Sequence, residues 1–382
     1  MTNPNTVPQE QLPPSPQSEL TPGPFESHEA LGNVALLETV DQAAAAVSQE
    51  QVESALPEAE YRQRLLDNFA PFADSVTRIK QDLAEGKPAK EVPGYLAAGN
   101  EANVFTVTHD DREYAVRISK MNNASEHIDS YVRGACVGQG IPGLEQLVGL
   151  SHEEGATIAE LLPGKSMDKY STTEIAAIPA VHFRKLADTL ILAARRGISL
   201  DGNDGNLLYD PEAGFSFVDY GANPSGEARG IAQPVTEGVF NTNYWLPNGR
   251  IPVTEFPEDY DVLQSVLTEL QPAYDRWLQI LGEAQSAHGL PDDYLTRIDE
   301  LRATSENMSD ALLILNDVGA AEAQVTAAQQ KRLAIIARYK EKAESAPNDF
   351  MRDHELEWAK KYETPKQLFP KGNRKVSRND KR

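Results

Sequence analysis

An α+β architecture is predicted, with a small β-rich half, a larger and mainly helical half, and a disordered arm in front. Three observations predict it. Residues 1–56 are rich in Pro, Gln, Ser and Glu and contain no Lys or Arg. Between Tyr95 and Leu162 apolar residues alternate in runs of strand length, around one helical stretch. Beyond Pro163-Gly164 they recur mostly at three- and four-residue steps.

Taken in order, residues 1–56 cannot bury enough apolar area to offset their ordering entropy, so they read as a disordered acidic arm; Ala30–Ser54 has weak helical character. Residues 57–91 form a helical extension and linker. There Leu65, Leu66, Phe69, Phe72, Val76 and Ile79 mark an amphipathic helix or helix pair, broken by "GKPAKEVPG". Residues 92–162 form the β-rich half: a hairpin around His109-Asp110-Asp111, a helix over 125–138, and two strands that turn at Glu153-Glu154-Gly155. Residues 163–345 form the helical half. Its first helix is expected to run unbroken through "TEIAAIPAVHFRKLADTLILAARRG". A later stripe joins Leu263, Val266, Leu267, Leu270, Tyr274, Trp277, Leu278 and Leu281, and Leu312, Leu313, Leu315, Leu333, Ile335 and Ile336 continue the helices. Residues 346–382 read as a basic tail.

A net charge of −22 argues against a general nucleic-acid binder, because a phosphate backbone demands a basic face. It leaves a cationic substrate open, and it also serves plain solubility. No apolar run reaches membrane-spanning length and no charged-then-apolar leader is present, so a cytoplasmic location without membrane contact is expected. Cys136 is the single cysteine, which excludes internal disulfides and reads as a small buried apolar residue. The arm and the tail are candidate surfaces for a protein partner.

Three stretches carry chemistry. "LAAGNEANVF" (96–105) joins two strands with small residues, which let backbone N–H groups approach an anion; a plain β-turn would look the same. Tyr114-Ala115-Val116-Arg117 places a cation on the following strand, where it could also be an ordinary exposed arginine. The third is "DGNDGNLLYDPEAGFSFVDYG" (201–221). Asp201 and Asn206 stand five residues apart, an apolar hairpin follows, and it ends in Asp219-Tyr220-Gly221. Phosphoryl transfer needs one carboxylate to orient and deprotonate a hydroxyl, and an amide and a second carboxylate for a metal. A solvated acidic turn would explain the first half of this run but not the hairpin that closes on an aspartate.

On these residues the chain resembles the protein-kinase-like superfamily over roughly residues 92–285. The version "DGNDGNLLYD" is more similar to aminoglycoside-phosphotransferase-type small-molecule kinases, and "GNEANVF" is similar to the glycine loop of the atypical RIO kinases. The resemblance implies a bilobal fold with a β-rich N-lobe and a helical C-lobe, and transfer of the ATP γ-phosphate to a hydroxyl of a small molecule or protein. It implies that Asp201 is the catalytic base and that Asn206 and Asp219 bind Mg²⁺. Ala97, Gly99, Ala102 and Val104 fall on the four fixed places of the glycine loop, and Ala115 and Arg117 on the nucleotide-binding strand. Lys120 lies three residues further on, on the other face of that strand. The helix after that strand should supply an acid for Arg117; Glu126 is the candidate and Asp129 the runner-up, and a solvated helix face is the alternative for either. The backbone of Glu160 to Leu162 would meet the adenine edge.

The sequence departs from the family in three ways: Ser199 replaces the usual histidine, Arg117 replaces the phosphate lysine, and no Ala-Pro-Glu follows Asp219. Arginine is not a conservative replacement for lysine. The alternatives to an active kinase are a pseudokinase-type nucleotide-binding module and a nucleotidyl transferase on the same fold.

Overall fold

Alternation in period two builds the first layer. In the computed structural model, which describes residues 55–121, 124–222, 232–288 and 292–369, five antiparallel strands form one sheet in the order β1-β2-β3-β5-β4. They are β1 (Tyr95–Ala98), β2 (Ala102–His109), β3 (Arg112–Ser119), β4 (Leu147–Ser151) and β5 (Ala156–Glu160). The β2–β3 hairpin turns on Asp110 and Asp111, both at positive φ (48° and 61°), as a two-residue turn with the right twist requires. The arm 1–54 lies outside the described residues.

The two faces of the sheet bury different helices. Phe105, Val107, Val116, Ile118 and Ile158 pack against Phe72, Val76 and Ile79 of helix α2 (Ala73–Ala84) and its preceding turn. Leu147, Leu150 and Ala159 instead join Tyr61 and Leu65 of helix α1 (Glu58–Asp67) and Ile128, Val132 and Ala135 of helix α3 (Ala124–Val137). The stretch 57–91 is thus a helix pair, divided by the 3-10 turn Ala70–Phe72 that contains Pro71, and it forms part of both cores. Cys136 is buried, as its composition suggested.

After β5 the chain turns through Pro163-Gly164. Gly164 sits at φ +96°, and a Cβ there would overlap the Tyr209 carbonyl, so glycine is required. The mostly helical part follows: α4 (Thr172–Ala176), α5 (Ala180–Arg195), α6 (Ala232–Phe240), α7 (Thr242–Trp245), α8 (Pro257–His288), α9 (Asp292–Asn316), α10 (Val318–Glu344) and α11 (Asp349–Glu363). The expected unbroken helix before Gly197 is two helices, α4 and α5. Pro179 separates them, because it lacks an N–H and bars its predecessor from helical geometry. Ser171 and Glu174 close a capping box on α4.

Every residue of the α8 stripe from Leu263 to Leu281 is buried except Leu278, which is partly buried against the same core. Trp277 is fully buried with its ring against Phe183, and its Nε1 donates to Thr236 Oγ1 at 2.9 Å. Periodicity holds less well further on, where Leu315 and Ile336 are buried but Leu313 and Leu333 face solvent. Part of the segment read as a basic tail is helix α11, which packs against α10, and residues 370–382 lie outside the described residues. Among the described residues no helix is long and apolar enough to cross a membrane.

Candidate active site

The run from 198 to 222 folds back on itself. β7 (Ile198–Leu200) pairs antiparallel with β10 (Tyr220–Ala222), with Leu200 opposite Tyr220. Between them stand a loop, 201–206, and the hairpin β8 (Leu207–Asp210)–β9 (Gly214–Phe217). β8 also pairs with the short strand β6 (Lys165–Ser166). Asp210 Oδ1 caps the hairpin by accepting the Ala213 and Glu212 N–H groups (2.9 and 2.8 Å), and these bonds pull its carboxyl below the usual range.

This topology brings Asp201, Asn206 and Asp219 together. The Asp201 N–H donates to the Asp219 carbonyl (3.4 Å), and the Val218 N–H donates to the Asn206 carbonyl (3.0 Å). Asn206 Nδ2 donates to Asp201 Oδ2 at 2.8 Å, while Asp201 Oδ1 accepts the Asn203 N–H at 3.0 Å. Asp201 is thereby oriented by two donors but remains exposed, and Asp219 is exposed as well. Asn203 Oδ1 accepts the Gly205 N–H at 3.1 Å, an Asx turn that sets the loop's curvature. Gly202 is needed for a different reason: a Cβ there would overlap the backbone of Pro234, and one on Gly238 would overlap the Gly202 carbonyl. The loop rests directly on helix α6.

The sheet supplies the facing surface. Val104 lies opposite Arg117 and Ala102 opposite Ser119, and Ala115 is two residues from Arg117, so Ala102, Val104, Ala115 and Arg117 share one face. Ala97 of β1 pairs with Val104. At the tip, the Gly99 N–H donates to the Ala102 carbonyl (2.9 Å), and Lys120 Nζ donates to the Gly99 carbonyl (2.5 Å). A Cβ on Gly99 would come no nearer than 3.8 Å to any neighbour, so the chain's own packing does not demand glycine there. Glu160 ends β5 with its N–H donating to the Gln146 carbonyl (3.2 Å), and Leu162 lies half-buried beyond it.

Arg117 reaches across to the site run. Its Nη1 donates to Glu145 Oε2 (2.5 Å) and to the Tyr131 hydroxyl (2.7 Å), and its Nη2 donates to the Val218 carbonyl. The guanidinium also lies over the Tyr131 ring, 5.1 Å from its centroid. The Tyr131 hydroxyl donates to Glu145 Oε2, and the Tyr220 hydroxyl donates to the Glu145 carbonyl. Glu145 is 2% exposed and Arg117 is 18% exposed in their side chains. Burial pulls the Arg117 pKa down, but Tyr131, Glu145 and Asp219 more than reverse this and hold it above the usual arginine value. Burial pushes the Glu145 carboxyl up against the pull of Arg117, and burial pushes Tyr131 and Tyr220 well above an ordinary phenol.

This corrects the expected partner of Arg117. Glu126 sits exposed in the first turn of α3, and Asp129 pairs with Arg62. The side chain that α3 turns toward the guanidinium is Tyr131. The acid comes from the loop after α3, where Glu145 is the single acid between Gly138 and Ser151 and no periodicity singles it out.

Among the described residues no group of three or more His, Cys, Asp or Glu side chains could hold a metal. Asn206 and Asp219 offer one amide and one carboxylate, hard oxygen donors that suit Mg²⁺ when a ligand's own oxygens complete the shell. The site loop borders a small cavity of about 20 Å³ lined by Asp204, Asp168, Tyr170, Asn241 and Trp245. A wider open recess of about 780 Å³, between α8 and α9, is lined by Leu278, Gly282, Ser286 and Arg302 and carries no comparable cluster of chemical groups. No protein-family model matches the chain, and no curated protein matches its sequence.

Proposed function

We propose that this protein is an ATP- and Mg²⁺-dependent phosphotransferase of bilobal protein-kinase-like architecture, acting on a hydroxyl group. One observation carries the reading: Asp201 and Asn206 touch at 2.8 Å beside the strand that Asp219 enters, in the order and spacing that phosphoryl transfer uses. The site fits the cofactor in donor chemistry. Bound Mg²⁺ neutralises charge on the phosphates, and Asn206 and Asp219 are the residues to hold it.

The chain's own residues do the rest. Asp201 orients the acceptor hydroxyl and takes its proton on a carboxylate oxygen; Asn203 and Asn206 keep that carboxylate aimed. Arg117 meets the nucleotide phosphates. Gly99, free of any packing demand for glycine, leaves room for them under the β1–β2 turn. Ala102, Val104 and Ala115 floor the nucleotide, and the backbone of Glu160 to Leu162 meets its base. The acceptor is a small molecule or protein that approaches from the Asp201 side.

A second reading, a nucleotide-binding module without turnover, is favoured by the engagement of Arg117 with Glu145, Tyr131 and Val218. One assay separates the two: ATP turnover and ATP–Mg²⁺ thermal shift for the protein and its Asp219→Ala variant. Turnover lost in the variant supports the enzyme, and a shift without turnover supports the module. Neither signal from the unmodified protein removes both.

A further inference from the structure

Glu145 belongs to two structures at once. Its backbone is part of the site run: its N–H donates to the Phe217 carbonyl at 3.0 Å, and its carbonyl accepts the Tyr220 hydroxyl. Next to it, Leu144 pairs with Phe217 in a parallel bridge, and the Gly143 carbonyl accepts the Phe217 N–H at 2.8 Å. These ties, to residues 217 and 220, bracket Asp219. Its carboxylate instead serves the sheet, where Oε2 accepts from Arg117 of β3 and from Tyr131 of α3. An acid that merely neutralised a buried arginine could approach it from any side. This one is anchored through its main chain to both flanks of the metal-binding aspartate.

The donor count gives the arrangement its meaning. A guanidinium carries five N–H groups in a fixed plane. Glu145 and Tyr131 take the two on Nη1, and the Val218 carbonyl takes one on Nη2. The Asp219 carboxylate acts on the same guanidinium, and together with Tyr131 and Glu145 it holds the Arg117 pKa above the usual arginine value. A lysine ammonium, a compact point charge without the planar fork, could not direct hydrogen bonds to all three of these partners.

We infer that Glu145 is a positioning residue for the nucleotide: it fixes Arg117 against the hairpin end that carries Asp219, so that the cation for the phosphates and the carboxylate for the metal are registered by one buried cluster rather than by an acid on a helix. The inference rests on the phosphotransferase reading above.

The test uses the full chain and three proteins: unmodified, Glu145→Gln and Tyr131→Phe. Melting temperature without ligand, the ATP–Mg²⁺ thermal shift, and kcat and KM for ATP are measured for each. Glu145→Gln keeps the shape and removes the charge; it is expected to raise the KM for ATP by about tenfold or more, with a smaller fall in kcat, and to shrink the ligand-induced shift. Tyr131→Phe is expected to act in the same direction by about threefold, and it carries the test alone if Glu145→Gln does not fold. A lower ligand-free melting temperature with unchanged KM and unchanged ligand shift in the foldable variants would mean Glu145 is structural only, and the inference falls while the phosphotransferase reading stands. No ATP response from the unmodified protein overturns that reading, and this inference with it.

Discussion

Gly202 and Pro234 meet backbone to backbone, with no room between them for a methyl group. The loop that carries Asp201 is therefore seated on helix α6 rather than suspended from its two strands, and Gly238 makes the reciprocal approach from the helix side. Gly202→Ala is expected to push the loop off its seat. Its melting temperature should fall by several degrees and turnover should be lost, whereas Gly205→Ala, whose Cβ would meet only Asn203 Oδ1 at 3.6 Å, should change both little. Equal behaviour of the two variants in a thermal melt would refute this account of the loop.

Asp201→Asn is expected to separate binding from chemistry. The amide keeps the size and one acceptor for the Asn203 N–H, but cannot take a proton. Turnover should drop by about a hundredfold or more while the ATP–Mg²⁺ thermal shift persists. A variant that turns over ATP at the unmodified rate would remove Asp201 from its assigned role.

Arg117→Lys tests the guanidinium directly. Loss of two of three directed hydrogen bonds beside the buried Glu145 carboxylate is expected to cost about 1–3 kcal/mol of stability, read by denaturant titration. The ligand shift should also shrink. An unchanged denaturation midpoint would show that one ammonium satisfies the cluster.

His182 gives the pH dependence a direction. It is buried, its Nδ1 lies 2.9 Å from the Tyr209 hydroxyl, and burial and nearby Lys185 hold its pKa below the ordinary value of 6.5. Below 6.5 the unfolded chain then binds a proton that the folded chain resists, so this group's contribution is present above 6.5 and is lost as the pH falls through its lowered folded-state value. The drop in melting temperature between about pH 7.5 and about pH 5.5 should be smaller in His182→Gln than in the unmodified protein. An identical drop in both would assign the acid sensitivity elsewhere.

Asp259 should prove a stability residue of the C-terminal segment. Only 1% exposed, it accepts the Leu368 and Phe369 N–H groups (2.9 and 3.0 Å) and the Thr254 hydroxyl (2.6 Å). Phe369 in turn packs on Trp245. Truncation after Thr364 strips two donors from a buried carboxylate and is expected to cost about 1–3 kcal/mol, measurable by urea unfolding.

Much of this was legible in the sequence because it is local. The β2–β3 hairpin, the β8–β9 hairpin and the α8 stripe follow from period and turn residues alone, and Asp201, Asn206 and Asp219 converge because short connections leave them little choice. What escaped is long-range. Glu145 meets Arg117 from 28 residues away through a loop without periodicity, and helices α1 and α2 join the sheet cores through contacts no spacing announces. Pro179 divides α4 from α5 inside an apolar repeat that runs on both sides of it and reads as one helix. Leu313 and Leu333 show the reverse error, apolar side chains on a helical repeat that the fold leaves facing water.

The stitching of residues 143–145 to Phe217 and Tyr220 bears on how the chain can be cut. Severing it at Pro163-Gly164 would strand Glu145 and Arg117 on one fragment and their hydrogen-bonding companions Val218 and Tyr220 on the other. The β-rich portion is therefore no portable cassette: grafted elsewhere or expressed by itself, it would present a raw seam of broken pairings in place of a finished surface.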